Sequence, residues 1–354
     1  MHRLSKVCIC ALIAALAAIG ARAIAAVVTG CGPFGSPPAH LFFSVKPDCG
    51  AGRMLGPWRD NDGTDRYACV YRPRSERPET KLPLVVFLHP SLFKANLVAR
   101  TGLLDLQNSY ALSGDPARPG FIVLAPQGRA TAHAYPAADR NGTGWDNWYR
   151  FLIVHAPAEN ADAAAIDHFI AEEIAAGEVD TDRIYMTGWS NGAAMAILYA
   201  LNRPAIAAAA VYSAPDPFGA FTDPCPQTPV ASTPSSNAQI QIRNPRVPIL
   251  HLHNDCDVEG LCPNGEKMAA ELRAAGVKVR DVIIDSSGRR VRLCDVSCGS
   301  NSNAGLSLLH HPLSYWLGLM HHGRWPVGWN RYLLDFMRRN PLARRGAPPT
   351  ASLR

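Results

Sequence analysis

The alternation of long apolar runs with segments of helical periodicity constrains the fold of this chain most strongly. Leu82 to Pro90 (LPLVVFLHP) is a continuous apolar run, typical of a strand buried on both faces of a sheet, and Phe121 to Gly128 (FIVLAPQG) repeats the pattern. Ala163 to Gly177 (AAAIDHFIAEEIAAG) instead places apolar residues on one face of a helix. Strands that alternate with helices predict an α/β fold, with a mostly parallel sheet and helices on both faces.

The first 23 residues have the three parts of a secretory signal peptide. A basic start with Arg3 and Lys6 precedes the apolar run Val7 to Ile19, and the small-residue segment Ala21 to Ala23 follows. The apolar run of about 13 residues is shorter than the roughly 20 that span a bilayer. We therefore predict that residues 1–23 are a cleaved signal peptide, that the protein is secreted or periplasmic, and that it makes no stable membrane insertion.

Composition divides the rest of the chain into three parts. Residues 24–64 are rich in glycine and proline and are predicted to be an irregular, cysteine-containing lead-in. Residues 65–340 contain the strand and helix patterns and are predicted to form a single folded domain. Residues 341–354 are predicted to be a basic, disordered tail. Because the net charge of +6 includes five arginines between residues 338 and 354, we interpret it as a solvated tail and predict no nucleic-acid partner.

Cysteine usage predicts a disulfide-braced protein. Eight cysteines remain after residue 23, and an even number in an exported chain indicates up to four disulfides. The shortest loops are closed by Cys256 with Cys262 and by Cys294 with Cys298, so we predict these two pairs. A zinc site is disfavoured because the spacings do not repeat a CxxC pair.

Residues 188–192 (GWSNG) form a G-x-S-x-G motif between a strand-like and a helix-like segment. A strained turn with a nucleophilic serine at its apex requires a strand before it and a helix after it, and this motif has both. Gly188 and Gly192 avoid side chains that would collide with the neighbouring strand and helix, and the helix N-terminus favours negative charge near the serine. We therefore predict that Ser190 is a catalytic nucleophile.

Candidate partners for the nucleophile follow it in the order that this motif requires, acid first and histidine second. Asp255 and Asp257 come directly after an apolar strand, and we prefer Asp257 as the acid that orients the imidazole. His321 and His322 lie near the end of the chain, and we choose His322 as the base, beside flexible Gly323. The sequence alone does not decide between Asp255 and Asp257 as the acid, or between His321 and His322 as the base.

Two backbone N–H groups are needed to hold the oxyanion of an acyl-transfer reaction. Asn191, directly after the nucleophile, supplies the first. The loop after the strand that ends at Pro90 supplies the second from Ser91 or Leu92, since proline has no N–H to donate.

Tryptophans near the motif and in the segment GTGWDNWYR are candidate walls of a substrate pocket. We assign Trp189, Trp145 and Trp148 to this pocket because indole rings pack well against aromatic or acyl groups. The alternative is that the tryptophans of this segment fill the core beneath a long loop.

A metal-dependent hydrolase is the main alternative to serine chemistry. The segment HLHND presents His251, His253 and Asp255 as H-x-H-x-D, and alternation along a strand puts both imidazoles on one face. This reading leaves the G-x-S-x-G motif unexplained, so we predict no metal and no other cofactor.

The segment VDTDRIYMTGWSNGAAMA, with PLVVFLH upstream, HLHNDCD downstream and a late histidine near Trp325, resembles the secreted poly(3-hydroxybutyrate) depolymerase and feruloyl esterase family of α/β-hydrolases. The likeness runs from about Arg66 to Met337. It implies an α/β-hydrolase fold and a Ser190, Asp257, His322 triad that cleaves carboxylic esters through an acyl-enzyme. The chain has His89 followed by Pro90 where the family usually has His-Gly.

These observations together predict a secreted serine carboxylic-ester hydrolase. The resemblance implies short-chain, hydroxyalkanoate-oligomer or feruloyl-type esters, so the expected partner is a small-molecule or oligomeric ester substrate. A serine peptidase or an acyltransferase on the same fold remains the alternative, because fold and triad do not determine the acyl acceptor. The sequence leaves the oligomeric state open.

Overall fold

The structure is a computed structural model, and it describes residues 42–61, 63–74, 81–131, 142–145, 160–215, 242–254, 257, 264–284 and 320–342. The predicted signal peptide and nearly all of the predicted basic tail lie outside these residues. No helix in the described ranges is both long and apolar enough to span a bilayer.

Eleven strands are found in the described residues. They are β1 (Phe42–Phe43), β2 (Arg53–Arg59), β3 (Asp65–Tyr71), β4 (Leu82–Leu88), β5 (Ile122–Pro126), β6 (Arg129–Thr131), β7 (Gly142–Gly144), β8 (Val179–Gly188), β9 (Ala208–Tyr212), β10 (Ile249–Asn254) and β11 (Val279–Ile284). The α-helices of the same residues are α1 (Leu103–Leu106), α2 (Ala161–Ala175), α3 (Asn191–Asn202), α4 (Asn264–Ala274) and α5 (Asn330–Arg339).

Eight strands form one sheet in the order β11-β10-β9-β8-β4-β5-β3-β2, and β1, β6 and β7 form a small separate sheet. Neighbours from β5 through β4, β8, β9 and β10 to β11 are parallel. At the other edge, β3 runs antiparallel to both β5 and β2. The predicted α/β-hydrolase fold with a mostly parallel sheet is confirmed.

Helices cover both faces of the sheet, as predicted. Side chains of β4 alternate between two cores: Leu84, Val86 and Leu88 pack with α2, α3 and α4, whereas Val85 and Phe87 pack with α1 and α5. Burial on both faces explains why β4 is apolar at every position, since a strand in the middle of a parallel sheet has no solvent-facing side.

Strand β2 corrects the prediction that residues 24–64 are irregular. It pairs with β3 through a register shift between Leu55 and Trp58, so the main sheet begins before residue 65. The prediction missed this strand because a glycine and a proline in its middle interrupt the alternation of side chains by which strands are recognised.

A disulfide joins Cys49 to Cys69 of β3 across a sequence separation of 20 residues. Closing a loop of this size contributes about 3 kcal/mol by restricting the unfolded chain. The prediction of a disulfide-braced fold is confirmed by this bond. The predicted pairs Cys256–Cys262 and Cys294–Cys298 lie outside the described residues.

The segment between Lys94 and Leu112 has apolar residues at helical spacing but does not form one regular helix. It contains a 3-10 helix, Ala95–Arg100, followed by the short α1. Gly102 separates them with a φ of +72°, which is outside the right-handed helical region.

Candidate active site

Ser190 occupies a sharp turn between β8 and α3. Its backbone has φ 55° and ψ −124°, a conformation that non-glycine residues rarely adopt. A Cβ on Gly188 would lie 2.5 Å from the carbonyl oxygen of Gly192, and a Cβ on Gly192 would lie 2.3 Å from the carbonyl oxygen of Leu88. Only glycine fits at both positions, as the motif predicts.

The structure brings Ser190, His322 and Asp257 together from three distant parts of the chain. His322 Nε2 lies 2.8 Å from Ser190 Oγ, and His322 Nδ1 lies 2.9 Å from Asp257 Oδ1. Asp257 is buried, with 1% of its surface exposed, whereas the serine and the histidine are partly exposed. A carboxylate beside Nδ1 holds the proton on that nitrogen and leaves Nε2 free to accept one from the serine.

Two hydrogen bonds to main-chain carbonyl groups hold the segment that contains the histidine. Trp189 Nε1 donates to the carbonyl oxygen of His322 at 2.8 Å, and the Tyr212 hydroxyl donates to the carbonyl oxygen of His321 at 3.0 Å. Of the two candidate histidines, His322 is the one whose side chain contacts Ser190. Asp255 lies outside the described residues.

The geometry distinguishes between the two candidates for the second oxyanion donor. Leu92 N–H already donates to the carbonyl oxygen of Thr143 at 2.7 Å. The N–H groups of Ser91 and Asn191 have no intramolecular acceptor among the described residues. Our proposal for the oxyanion hole is accordingly Asn191 with Ser91.

His89, at the end of β4, ties the oxyanion loop to the neighbouring strand end. Its Nδ1 donates to the carbonyl oxygen of Pro90 at 2.9 Å, and its Nε2 accepts the N–H of Gly128 at 2.9 Å. The side-chain amide of Gln127 lies 3.1 Å from the same Nε2. Because donors face Nε2 and the ring is buried, the neutral imidazole fits this site, and burial lowers the pKa of His89 to about 4.

Acidification is expected to destabilise the fold through His89. In the unfolded chain its imidazole binds a proton below its ordinary pKa of 6.5, whereas in the folded protein it stays neutral down to a pKa of about 4. The unfolded state thus binds more protons between these values, so stability falls as the pH drops from 6.5 to 4, by up to about 3 kcal/mol. Urea unfolding at several pH values measures this slope.

The matched variant is His89→Gln, whose amide can both accept from Gly128 and donate to Pro90 without titrating. It should show a flatter dependence of unfolding free energy on pH than the wild type between pH 4 and 6.5. His168→Gln, at a half-exposed histidine, should change the slope less. Equal slopes in wild type and His89→Gln would contradict the expectation.

The tryptophan assignments to the substrate pocket are corrected by burial. Trp145 is 1% exposed and Trp189 is 5% exposed, so neither ring offers a face to a ligand. Trp145 Nε1 donates to the carbonyl oxygen of His89 at 2.8 Å, and its main chain bonds the side chain of Asn191 at 2.7 and 3.1 Å. Both rings therefore support the loops around the nucleophile. Trp148 lies outside the described residues.

Exposed apolar side chains near the nucleophile come from the oxyanion loop. Leu92 is 62% exposed and Phe93 is 44% exposed. The ring of Phe93 stacks on Trp189, directly before the nucleophile, with 6.2 Å between ring centroids. Leu92 and Phe93 also line a cleft of about 230 Å³ that continues toward Lys94 and Arg100. This rim can contact an apolar acyl group.

His251 and His253 lie side by side on β10, as the strand alternation predicts, and Asp281 of β11 lies 2.9 Å from His251 Nδ1 and 3.1 Å from His253 Nε2. In the described part of the chain this is the one group whose ligand atoms converge enough for a metal ion, within 4.8 Å of one another. However, Ala214 N–H donates to His251 Nε2 at 3.1 Å, which puts the proton of the neutral ring on Nδ1, the atom that faces Asp281 at 2.9 Å. A protonated Nδ1 cannot ligate a metal, so this arrangement favours a hydrogen-bonded network.

Sequence reasoning missed Ser213, which follows β9. Its hydroxyl contacts both Asp257 Oδ2 and His322 Nδ1. The available signal was its place: a polar residue directly after a buried strand, at the carboxyl edge of a parallel sheet, where sites are usually built.

Part of the chain matches a known family of esterases. Residues 66–223 match the sequence profile of the family described as esterase PHB depolymerase. The predicted resemblance to this family is confirmed over these residues. No curated protein matches the chain.

Three similar solved structures are esterases of low sequence identity. A thermostable esterase is 17% identical with a TM-score of 0.43, covering 83% of this chain and 64% of its own length. An acetyl xylan esterase from Aspergillus awamori is 16% identical with a TM-score of 0.44, covering 64% and 80%. A ferulic acid esterase is 16% identical with a TM-score of 0.46, covering 66% and 91%. The chain thus spans less than two thirds of the first of these proteins.

Proposed function

We propose that the whole protein is a serine carboxylic-ester hydrolase that works through an acyl-enzyme. The proposal starts from the match of residues 66–223 to the esterase PHB depolymerase family. The observation that carries the proposal is the continuous contact from Ser190 Oγ through the His322 ring to Asp257. That arrangement activates a hydroxyl as nucleophile.

In the proposed reaction, His322 Nε2 takes the proton of Ser190 as Oγ attacks the ester carbonyl carbon. The resulting oxyanion accepts hydrogen bonds from the N–H groups of Asn191 and Ser91, and Asp257 stabilises the imidazolium. The imidazolium then gives its proton to the leaving alcohol as the carbon–oxygen bond breaks. Water attacks the acyl-enzyme with the same histidine as base, which releases the acid and restores the serine.

We propose short-chain, hydroxyalkanoate-oligomer or feruloyl-type esters as substrates. The apolar rim of Leu92 and Phe93 supports an acyl group of this kind, because exposed apolar surface beside a nucleophile is buried when such a group binds. We also propose export from the cytoplasm. The Cys49–Cys69 disulfide supports it, since disulfides persist in oxidising compartments.

A substrate panel tests this function with protein recovered from the periplasm or medium of the expressing cell. The panel compares short p-nitrophenyl esters, hydroxybutyrate oligomers and methyl ferulate with a peptide p-nitroanilide. We expect hydrolysis of the short p-nitrophenyl esters with an initial burst from acyl-enzyme formation, and one fluorophosphonate adduct on Ser190 by mass spectrometry. Hydrolysis of the anilide alone would favour a peptidase. Transfer of the acyl group to an added alcohol without hydrolysis would favour an acyltransferase.

Chelation distinguishes a metal-dependent hydrolase from a serine hydrolase. Serine chemistry predicts that ester hydrolysis survives EDTA, because none of its steps uses an ion. Loss of activity in EDTA, recovered with added zinc, would favour a metal centre and overturn the proposal.

A further inference from the structure

We propose that Ser213 is a positioning residue of the catalytic site, which acts through Asp257 and His322 and is itself held in place by His251. The inference rests on the proposed function and adds a residue to it. Ser213 is fully buried, at 0% exposure, so its hydroxyl has a functional use only through its neighbours.

The hydroxyl of Ser213 completes the hydrogen bonding of the triad acid. Asp257 Oδ1 faces His322 Nδ1 at 2.9 Å, and Asp257 Oδ2 accepts the hydroxyl of Ser213. The same oxygen of Ser213 lies 2.6 Å from His322 Nδ1. With one carboxylate oxygen bonded to each partner, the plane of the carboxylate is fixed, and the imidazole is directed toward the nucleophile.

The backbone of Ser213 is strained in the way that functional sites often are. Its φ is +57°, in the left-handed region, which costs a non-glycine residue about 1 kcal/mol or more. In the described part of the chain only two other non-glycine residues have a positive φ, Leu92 of the oxyanion loop and Ser190 itself. All three lie at the candidate active site.

Two hydrogen bonds to the neighbouring strand β10 hold the backbone at this strained residue. Ser213 N–H donates to the carbonyl oxygen of Leu252 at 2.7 Å, and the next residue, Ala214, donates its N–H to His251 Nε2 at 3.1 Å. His251 is oriented by its bond from Nδ1 to Asp281 Oδ1, at 2.9 Å. The H-x-H segment thus anchors the backbone from which the Ser213 hydroxyl reaches the triad.

The test is Ser213→Ala, which keeps the Cβ and the backbone strain and removes only the hydroxyl. We expect kcat on a short p-nitrophenyl ester to fall about 10- to 100-fold, by analogy with the loss of a hydrogen-bonding partner that orients a metal-bound histidine, with KM changed less than about twofold. The rate of fluorophosphonate labelling should fall in parallel, because labelling uses the same activated hydroxyl. Ser213→Gly relieves the strained φ and provides a second variant that folds if the alanine variant does not.

His251→Asn tests the anchor, because its shorter side chain can still donate to Asp281 but does not reach the N–H of Ala214. It should lower kcat less than Ser213→Ala does, again with little change in KM. Unchanged kcat in His251→Asn would overturn the anchoring role.

Thr187→Val is the matched control. It removes a hydroxyl that is also buried, at 1% exposure, and that donates to the carbonyl oxygen of Ala210 at 2.6 Å. Among the described residues, this hydroxyl makes no hydrogen bond to the triad. The variant's melting temperature should fall while kcat stays within about twofold of the wild type. A kcat in Ser213→Ala that is no lower than in Thr187→Val would overturn the positioning role. A wild type that fails to label with fluorophosphonate would instead overturn the proposed function and this inference with it.

Discussion

Replacing Ser190 by alanine is expected to lower kcat for ester hydrolysis about 10⁵- to 10⁶-fold, because the nucleophile itself is lost. Without Oγ no acyl-enzyme forms, and His322 Nε2 loses the partner that lies 2.8 Å away. The oxyanion donors and the substrate site remain, so slow hydrolysis by water directed to the carbonyl carbon sets the residual rate. Initial rates with a short p-nitrophenyl ester measure the loss.

Ser109→Ala is the control, because Ser109 is exposed and should leave kcat and labelling unchanged. The Ser190→Ala variant should also fold normally, since alanine keeps the Cβ of serine at the same backbone position. A Ser190→Ala enzyme that retains more than about 1% of wild-type kcat would refute the assignment of the nucleophile. That threshold lies far above the residual catalysis that binding and oxyanion donors alone provide.

Gly192→Ala is expected to have a large effect on both stability and catalysis. The added Cβ would lie 2.3 Å from the carbonyl oxygen of Leu88 and 2.4 Å from that of His89. Both are main-chain atoms at the end of β4, so relief requires a shift of the strand or of α3. We expect the free energy of unfolding to fall by about 3 kcal/mol, at the upper end of the cost of overpacking.

The same shift would displace the loop that holds the Ser91 N–H. A displacement of about 1 Å at a reacting group costs about 100-fold in rate, so the folded fraction of Gly192→Ala should also have a much lower kcat. Urea unfolding and active-site titration separate the two effects.

Gly328→Ala is the matched control, because a Cβ there meets no atom within 4 Å and the residue does not have a positive φ. It should leave the free energy of unfolding within about 0.5 kcal/mol of the wild type. Equal stability of Gly192→Ala and Gly328→Ala would contradict the close approach of α3 to β4.

The fold was predictable because its signals are local. A strand buried on both faces, such as β4, must be apolar at every position, and a helix such as α2 must repeat its apolar residues at helical spacing. Strand β2 was not predicted, because a glycine and a proline interrupt its side-chain alternation. Its pairing with β3 is a contact that the local sequence does not indicate.

The candidate nucleophile was also predictable, since Ser190 and its two glycines lie within five residues and serve one turn. The order of acid and histidine along the chain restricted their search to a few residues. Which of those residues reach the serine was not predictable, because Asp257 and His322 lie on separate loops whose positions depend on packing.

The roles of several neighbours depend entirely on that packing. Trp145 and Trp189 are aromatic residues near a motif, which in sequence looks like a pocket wall, but both are buried and bond main-chain carbonyl groups. Leu92 and Ser91 are adjacent and equally able to donate an N–H, and only the acceptor at Thr143 distinguishes them.

The amino-acid sequence by itself determined the α/β architecture, the strained turn and the candidate nucleophile at its apex, because each follows from residues that are close along the chain. The tertiary structure alone decided that Ser213 faces Asp257 and His322, and that His251 bonds the backbone beside it. The physical reason is that such contacts join strand ends brought side by side by sheet register, and register is set by the packing of the whole domain.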